Sequence, residues 1–178
     1  GRAARAIGPS GVLHRNEHSV KIAAAPGDVF PWLADPERRL RWMGALVESE
    51  SLTEGPPELG SRYRDVFEDH GQRIELEAEL VEVEPGERLT ARLVSKGFES
   101  TSSQRLEADG AGTRLTAAVD TRYTMLAARL LAPLVTRHAQ KQLEADLERL
   151  KELVEAEAGA GDCEPTRPSR ATGAAGRP

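Results

Sequence analysis

The chain has 178 residues, 39% hydrophobic and 30% charged, with a formal net charge of −5, a composition that suits one globular domain better than a disordered chain. Residues 1–16 and 158–178 are rich in Gly, Ala, Pro, Arg, Ser and Thr and hold too little apolar area to offset ordering entropy, so both are expected to be flexible tails around a domain at 17–157. Six of the 24 basic and two of the 29 acidic residues fall in those tails, leaving 18 basic and 27 acidic groups and a net charge of −9 on the domain, which disfavours a nucleic-acid partner and offers no evident basic patch for a membrane surface.

In chain order, residues 17–24 alternate as a first strand, with Val20, Ile22 and Ala24 on one face. Pro26 suits the first turn of a helix and Asp28 favours its N-terminus. Pro31 removes a backbone hydrogen bond inside that helix, which is therefore expected to be short, kinked or late to begin. Asp35-Pro36 is a stronger start, an N-cap followed by proline at N1.

Strand patterns then recur at 45–54, 61–69, 72–84, 88–96, 98–108 and 113–123, separated by turn residues such as Pro85-Gly86 and the hairpin signal DGAG at 109–112. Along 72–84 the phase slips at Leu80-Val81, as a β-bulge allows. Seven strands, six of them consecutive, predict a mostly antiparallel meander. From 124 onward the period becomes helical. Leu143, Leu147, Leu150 and Val154 form one stripe and Gly159 is a plausible stop. This order predicts an α+β fold: a curved sheet with one long helix laid across its concave face and two short helices closing an end.

The helix is preceded by MLAARLLAPLV at 125–135, with nine apolar residues in eleven. It is too short to cross a bilayer and is split by Arg129, so no stable membrane insertion is expected. Cys163, the single cysteine, lies in the C-terminal tail, which rules out an intrachain disulfide or a cysteine zinc cluster. With no apolar signal-peptide region near the start, a cytoplasmic location is expected. His14, His18, His70 and His138 show no metal-ligand spacing, and no nucleotide fingerprint or nucleophile elbow occurs, so neither a metal nor a cofactor is expected.

The stretches VKIAAAPGDVFPWLADPERRLRWM, LVEVEPGERL and LEADGAGTRLT, followed by a long helix ending LERLKELVE, resemble the START-like (SRPBCC) superfamily. They are closest to its polyketide cyclase/dehydrase and lipid transport group. The resemblance covers about residues 17–157. It implies a helix-grip fold, with a seven-stranded sheet wrapped around the C-terminal helix and a deep cavity between them. Members bind lipids, sterols, hormones or polyketides, and some catalyse cyclisation or aromatisation. In such a fold residues 125–135 stand beside the cavity mouth, where Pro133 kinks or restarts the helix and Leu130 and Leu134 form a lid or wall.

Alternation then selects the inward faces. Tyr63, Asp65 and Phe67 share one side of their strand, and Leu76 belongs to the apolar face of the next. Ala91 and Leu93 face inward, as do Phe98, Ser100, Ser102 and Gln104, and then Ala117, Val119, Thr121 and Tyr123. Trp32 and Trp42 border the pocket from the two-helix segment. Asp65 between two aromatic rings is placed for general acid or base work, with Tyr63 and Tyr123 as proton donors; the bland alternative pairs Asp65 with an arginine such as Arg62 or Arg92. Carriage of a hydrophobic small molecule, a lipid or a polyketide-like compound, is the leading expectation. A cyclase, aromatase or dehydratase of polyketide-like substrates is the first alternative, and a protein-interaction role the second. The oligomeric state is left open.

Overall fold

The computed structural model describes residues 13–69 and 71–161. Seven strands form one antiparallel sheet: β1 (Leu13–Ile22), β2 (Leu46–Ser51), β3 (Arg62–Asp69), β4 (Gln72–Glu84), β5 (Arg88–Val94), β6 (Phe98–Asp109) and β7 (Gly112–Tyr123), in the order β1-β7-β6-β5-β4-β3-β2. Consecutive strands pair as hairpins, while β1 joins the far edge against β7, since two helices separate it from β2. The bulge falls between Leu80 and Glu82, where the apolar alternation changes phase. Gly86 and Gly110 take φ of 77° and 66° in the turns before β5 and β7, a backbone region that a side chain disfavours.

Two short helices follow β1. In α1 (Pro26–Ala34) Pro26 stands in the first turn, and Pro31 lies inside a helix of only nine residues. In α2 (Pro36–Trp42) the Asp35 carboxylate accepts from the backbone N–H groups of Glu37 and Arg38, the cap that the Asp-Pro pair predicts. The long helix α3 (Leu126–Gly161) runs unbroken through Pro133 and past Gly159. Two domain boundaries shift accordingly. Residues 13–16, expected in a tail, belong to β1 because pairing with β7 satisfies their backbone, and Asn16 is buried. Residues 158–161 continue α3. The remainder of both tails, Cys163 and His70 lie outside the described residues.

The concave face carries the core. Leu147, Leu150 and Val154 of α3 are fully buried with Ile22, Val29, Trp32 and Leu115, each such side chain contributing about 1.5–3 kcal/mol on leaving water. The convex face is polar, with ion pairs between neighbouring strands such as Arg62–Glu77 and Arg64–Glu75. Exposed as they are, these pairs add little stability, but they keep that side wet and favour the register.

Polar contacts on both flanks hold α3 over the sheet. On one side Asn16 donates to the Thr136 carbonyl at 3.0 Å and to Gln140 at 3.1 Å, and Gln140 donates to the Glu17 carbonyl at 3.1 Å. On the other side His138 meets Asp69 of β3 at 2.6 Å. The sheet therefore curls far enough for β1 and β3 both to touch one helix. Further along, the Gly44 N–H donates to Asp146 at 2.9 Å, and Gln142 donates to the same oxygen at 2.8 Å.

Burial raises the Asp146 carboxyl pKa, only partly offset by those two donors. The folded state thus holds this proton more tightly than the unfolded chain. Its contribution to stability falls as pH rises from the ordinary value of 3.8 through the raised value, and is flat above it. Asp146→Asn keeps an acceptor for both donors and removes the ionisation. The variant is expected to match the wild type in acid and to gain on it as pH rises through that window, read from melting temperatures across a pH series. A variant markedly less stable at neutral pH would show that the fold needs the negative charge.

Candidate functional site

A small, partly enclosed cavity of about 60 Å³ lies beneath the two short helices, against the concave face. Its floor is built from alternate residues of three adjacent strands, Ala78 and Leu80 of β4, Leu89, Ala91 and Leu93 of β5, and Ser102 and Gln104 of β6. The register sets Leu80, Ala91 and Ser102 in one row and Ala78 and Leu93 in the next. Tyr63 and Phe67 of β3 form a side wall. Leu33 and Ala34 of α1, with Arg39, Trp42 and Met43 of α2 and its end, form the roof.

The polar groups lie at opposite sides of this apolar space. Gln104 donates to the Ser102 hydroxyl at 3.0 Å on the β6 side. On the β3 side Asp65 is fully buried, and one of its oxygens accepts from Arg39 at 2.5 Å while the other accepts from Ser49 at 2.7 Å. Arg39 is itself largely buried and also lines the cavity. Burial pushes the Tyr63 phenol pKa above its usual value, against a smaller opposing effect of Arg39, so the ring stays a neutral hydrogen-bond donor at physiological pH.

Several sequence-predicted positions lie in this wall: Trp42, Phe67, Ala91, Leu93, Ser102, Gln104 and Tyr63 all face the cavity. Others share the concave face but lie away from it. Leu76, opposite Asp65 in the register, and Ala117, opposite Gln104, are packed into the core. Ser100 and Thr121 hydrogen-bond to each other at 2.8 Å, Phe98 packs against the core, and Val119 is half-buried opposite Ser102. Tyr123 on β7 lies four strands from β3 and sets its ring edge-on to His14, with centroids 5.6 Å apart, so it does not join Asp65 and Tyr63 in one constellation.

Three expectations need correction. Trp32 does not border the cavity: its ring lies under the guanidinium groups of Arg38 and Arg41, 5.0 and 4.7 Å from the centroid, and its carbonyl accepts from the Trp42 indole. Leu130 and Leu134 are not a cavity wall, since they are 76% and 70% exposed. The inward face of this part of α3 carries Ala132, Thr136 and Gln140 instead. The partner of Asp65 is Arg39, not Arg62 or Arg92. Arg62 sits on the convex face with Glu77, and Arg92 lines an open depression on that same outer side.

Sequence reasoning misses Arg39 in the cavity wall, with Leu33, Ala34 and Met43 beside it, and misses Asn16, which anchors α3 away from the cavity. A basic position on a short surface-type helix resembles any solvated arginine, and Asn16 falls within the expected tail. The alternation of His14, Asn16 and His18 with Val20 and Ile22 is the available signal.

A curved seven-stranded sheet gripping a C-terminal helix is the architecture that the resemblance implies. The cavity, expected to be deep and to lie between the sheet and that helix, is instead small and roofed by α1 and α2, with no described residue of α3 in its wall. The model of the family described as polyketide cyclase/dehydrase and lipid transport matches residues 14–155. The chain belongs to that family. Solved structures agree on this family's SRPBCC fold. The Zhui aromatase/cyclase from Streptomyces sp. R1128 superposes with a TM-score of 0.71 at 18% identity, covering 84% of this chain and 98% of that one. The protein TTHA0849 from Thermus thermophilus gives 0.70 at 21% identity over 81% and 99%. Ara h 8.0201 gives 0.65 at 13% over 82% and 99%. At these identities the likeness is one of fold. Among curated protein sequences none matches. Among the described residues no cluster suited to a metal ion occurs, and no helix is long and apolar enough to cross a membrane.

Proposed function

We propose that this family member binds and carries a hydrophobic small molecule, of lipid or polyketide-like chemistry, in the cavity between the sheet and the helices. The observation that carries the reading is the wall itself: apolar floor and roof, with polar groups at its edges, Arg39 and Tyr63 on one side and Ser102 with Gln104 on the other. Such a wall desolvates a hydrocarbon body while donating hydrogen bonds to a carbonyl, carboxylate or hydroxyl at one end.

A cavity of 60 Å³ has room for about two waters, whereas pockets for drug-sized molecules run to roughly 300–1,000 Å³, so ligand uptake requires the walls to part. Met43 is half-buried in the wall, and its unbranched, flexible side chain is suited to turning aside. Carriage is favoured over cyclisation because Asp65, the nearest carboxylate, is fully buried, is held by Arg39 and Ser49 and is not among the residues lining the cavity, so it has no path to a bound substrate. A general base needs a free lone pair directed at the substrate.

Native mass spectrometry of freshly purified protein, followed by organic extraction, tests the reading. A reproducible lipid or aromatic mass is expected. A clean apo mass that persists after incubation with lipid and polyketide extracts overturns it. Release of a chemically altered compound from a supplied polyketide would favour the cyclase instead.

A further inference from the structure

The first half of α3 presents a face that the fold leaves uncovered. Ala132 and Thr136 turn inward, and the opposite side of the helix carries Leu130, Leu131 and Leu134 at 76%, 60% and 70% exposure. Side chains three and four apart lie together on a helix, so Arg137 and Lys141, both exposed, continue the line begun by Leu130 and Leu134. Met125 is 54% exposed and packs beside Gly97, which brings the exposed Lys96 to the same end of the molecule.

Charge distinguishes this face from the rest of the protein. Residues 126–141 contain Arg129, Arg137 and Lys141 and no acidic residue, whereas residues 142–161 contain six acidic and two basic ones. One helix thus changes sign along its length, in a domain that is acidic overall. Exposed leucines flanked by cations, with no carboxylate from this stretch of the helix among them and the Asp69 carboxylate of β3 at their edge engaged by His138, suit the boundary of an anionic bilayer: the leucines enter the acyl region while the lysine and arginine stems reach back to the headgroups. An acidic protein would satisfy the cations but gain less from three adjacent leucines.

We propose that the outward face of α3 around Leu130, Leu131, Leu134, Arg137 and Lys141 docks on an anionic lipid surface, lying in its plane without crossing it. This goes beyond the cavity reading and does not depend on it.

The test is flotation of the full chain with vesicles of pure phosphatidylcholine and with vesicles of equal parts phosphatidylcholine and phosphatidylglycerol. The protein is expected to float with the anionic vesicles only, and added salt is expected to weaken that binding. Leu130→Glu with Leu134→Glu is expected to reduce partitioning by at least about ten-fold, and Arg137→Glu with Lys141→Glu to abolish the preference for anionic lipid. All four side chains are exposed, so melting temperature and uptake of a cavity ligand should be unchanged in both variants. Failure of either control would point to the fold or the cavity instead. The proposal is overturned if the wild type does not float, if the leucine variant floats equally well, or if sizing shows a dimer that the leucine variant disrupts, which would make a second copy the occupant.

Discussion

Asp65→Ala is expected to lower stability by about 3–5 kcal/mol, because it leaves the guanidinium of Arg39 largely buried and without a counter-charge. Asp65 is fully buried and bonded at 2.5 Å to Arg39 and 2.7 Å to Ser49, so removal strands two donors as well as a charge. For a domain of this size the loss corresponds to a fall in melting temperature of roughly 6–20 °C. Asp65→Asn retains an acceptor and is expected to fall between the two. The double variant Asp65→Leu with Arg39→Met removes both charges together and is expected to recover most of the loss, since the cost of the single change lies in the orphaned ion and not in the absent pair. Urea denaturation of the four proteins reads the effect. An alanine variant within about 0.5 kcal/mol of the wild type would show that Arg39 reaches water and that the pair is not a structural clamp.

Ala91→Trp is expected to reduce affinity for any cavity ligand by on the order of a hundred-fold or more. Ala91 lies mid-floor, between Leu80 and Ser102 in the register, and faces the cavity. An indole there more than fills the space of about 60 Å³, presses on its walls and blocks the direction in which it would expand. The overpacking is expected to cost about 1–3 kcal/mol, which leaves the protein folded. Arg92→Trp supplies the control. It alters the next residue of the same strand, which faces the opposite side and is exposed, and should leave binding intact. Equal losses in both variants would mean that the ligand does not occupy the concave side.

Most of the fold can be read from the chain because its signals are local. Alternation marks the strands, Pro-Gly and Asp-Gly mark turns, the phase change at Leu80-Val81 marks the bulge, and Asp35-Pro36 marks the start of α2. The site is legible only on one side. Alternation places Tyr63, Asp65 and Phe67 together, but not Arg39, which arrives from a helix 26 residues earlier through tertiary packing. The error at Leu130 and Leu134 has a different cause. Hydrophobicity alone selects the wrong inward face there, because counting from Leu143 toward the N-terminus by threes and fours leads to Gln140, Thr136 and Ala132, the face that α3 buries. A small residue at Ala132 permits close approach to the sheet, and the larger leucines are left outside.

The protein carries its own reporter for a hydrophobic ligand in the cavity. Of its two tryptophans Trp42 lines the cavity, whereas Trp32 lies under arginines away from it. Titration with a brominated fatty acid, with tryptophan fluorescence as the readout, is therefore the most direct measurement. Binding in the cavity predicts saturable quenching of part of the emission, present in the wild type and in Arg92→Trp after correction for its added indole, and absent for Trp42 in Ala91→Trp. Emission that falls only linearly with added acid, as collisional quenching does, or saturable quenching that survives Ala91→Trp, would contradict it.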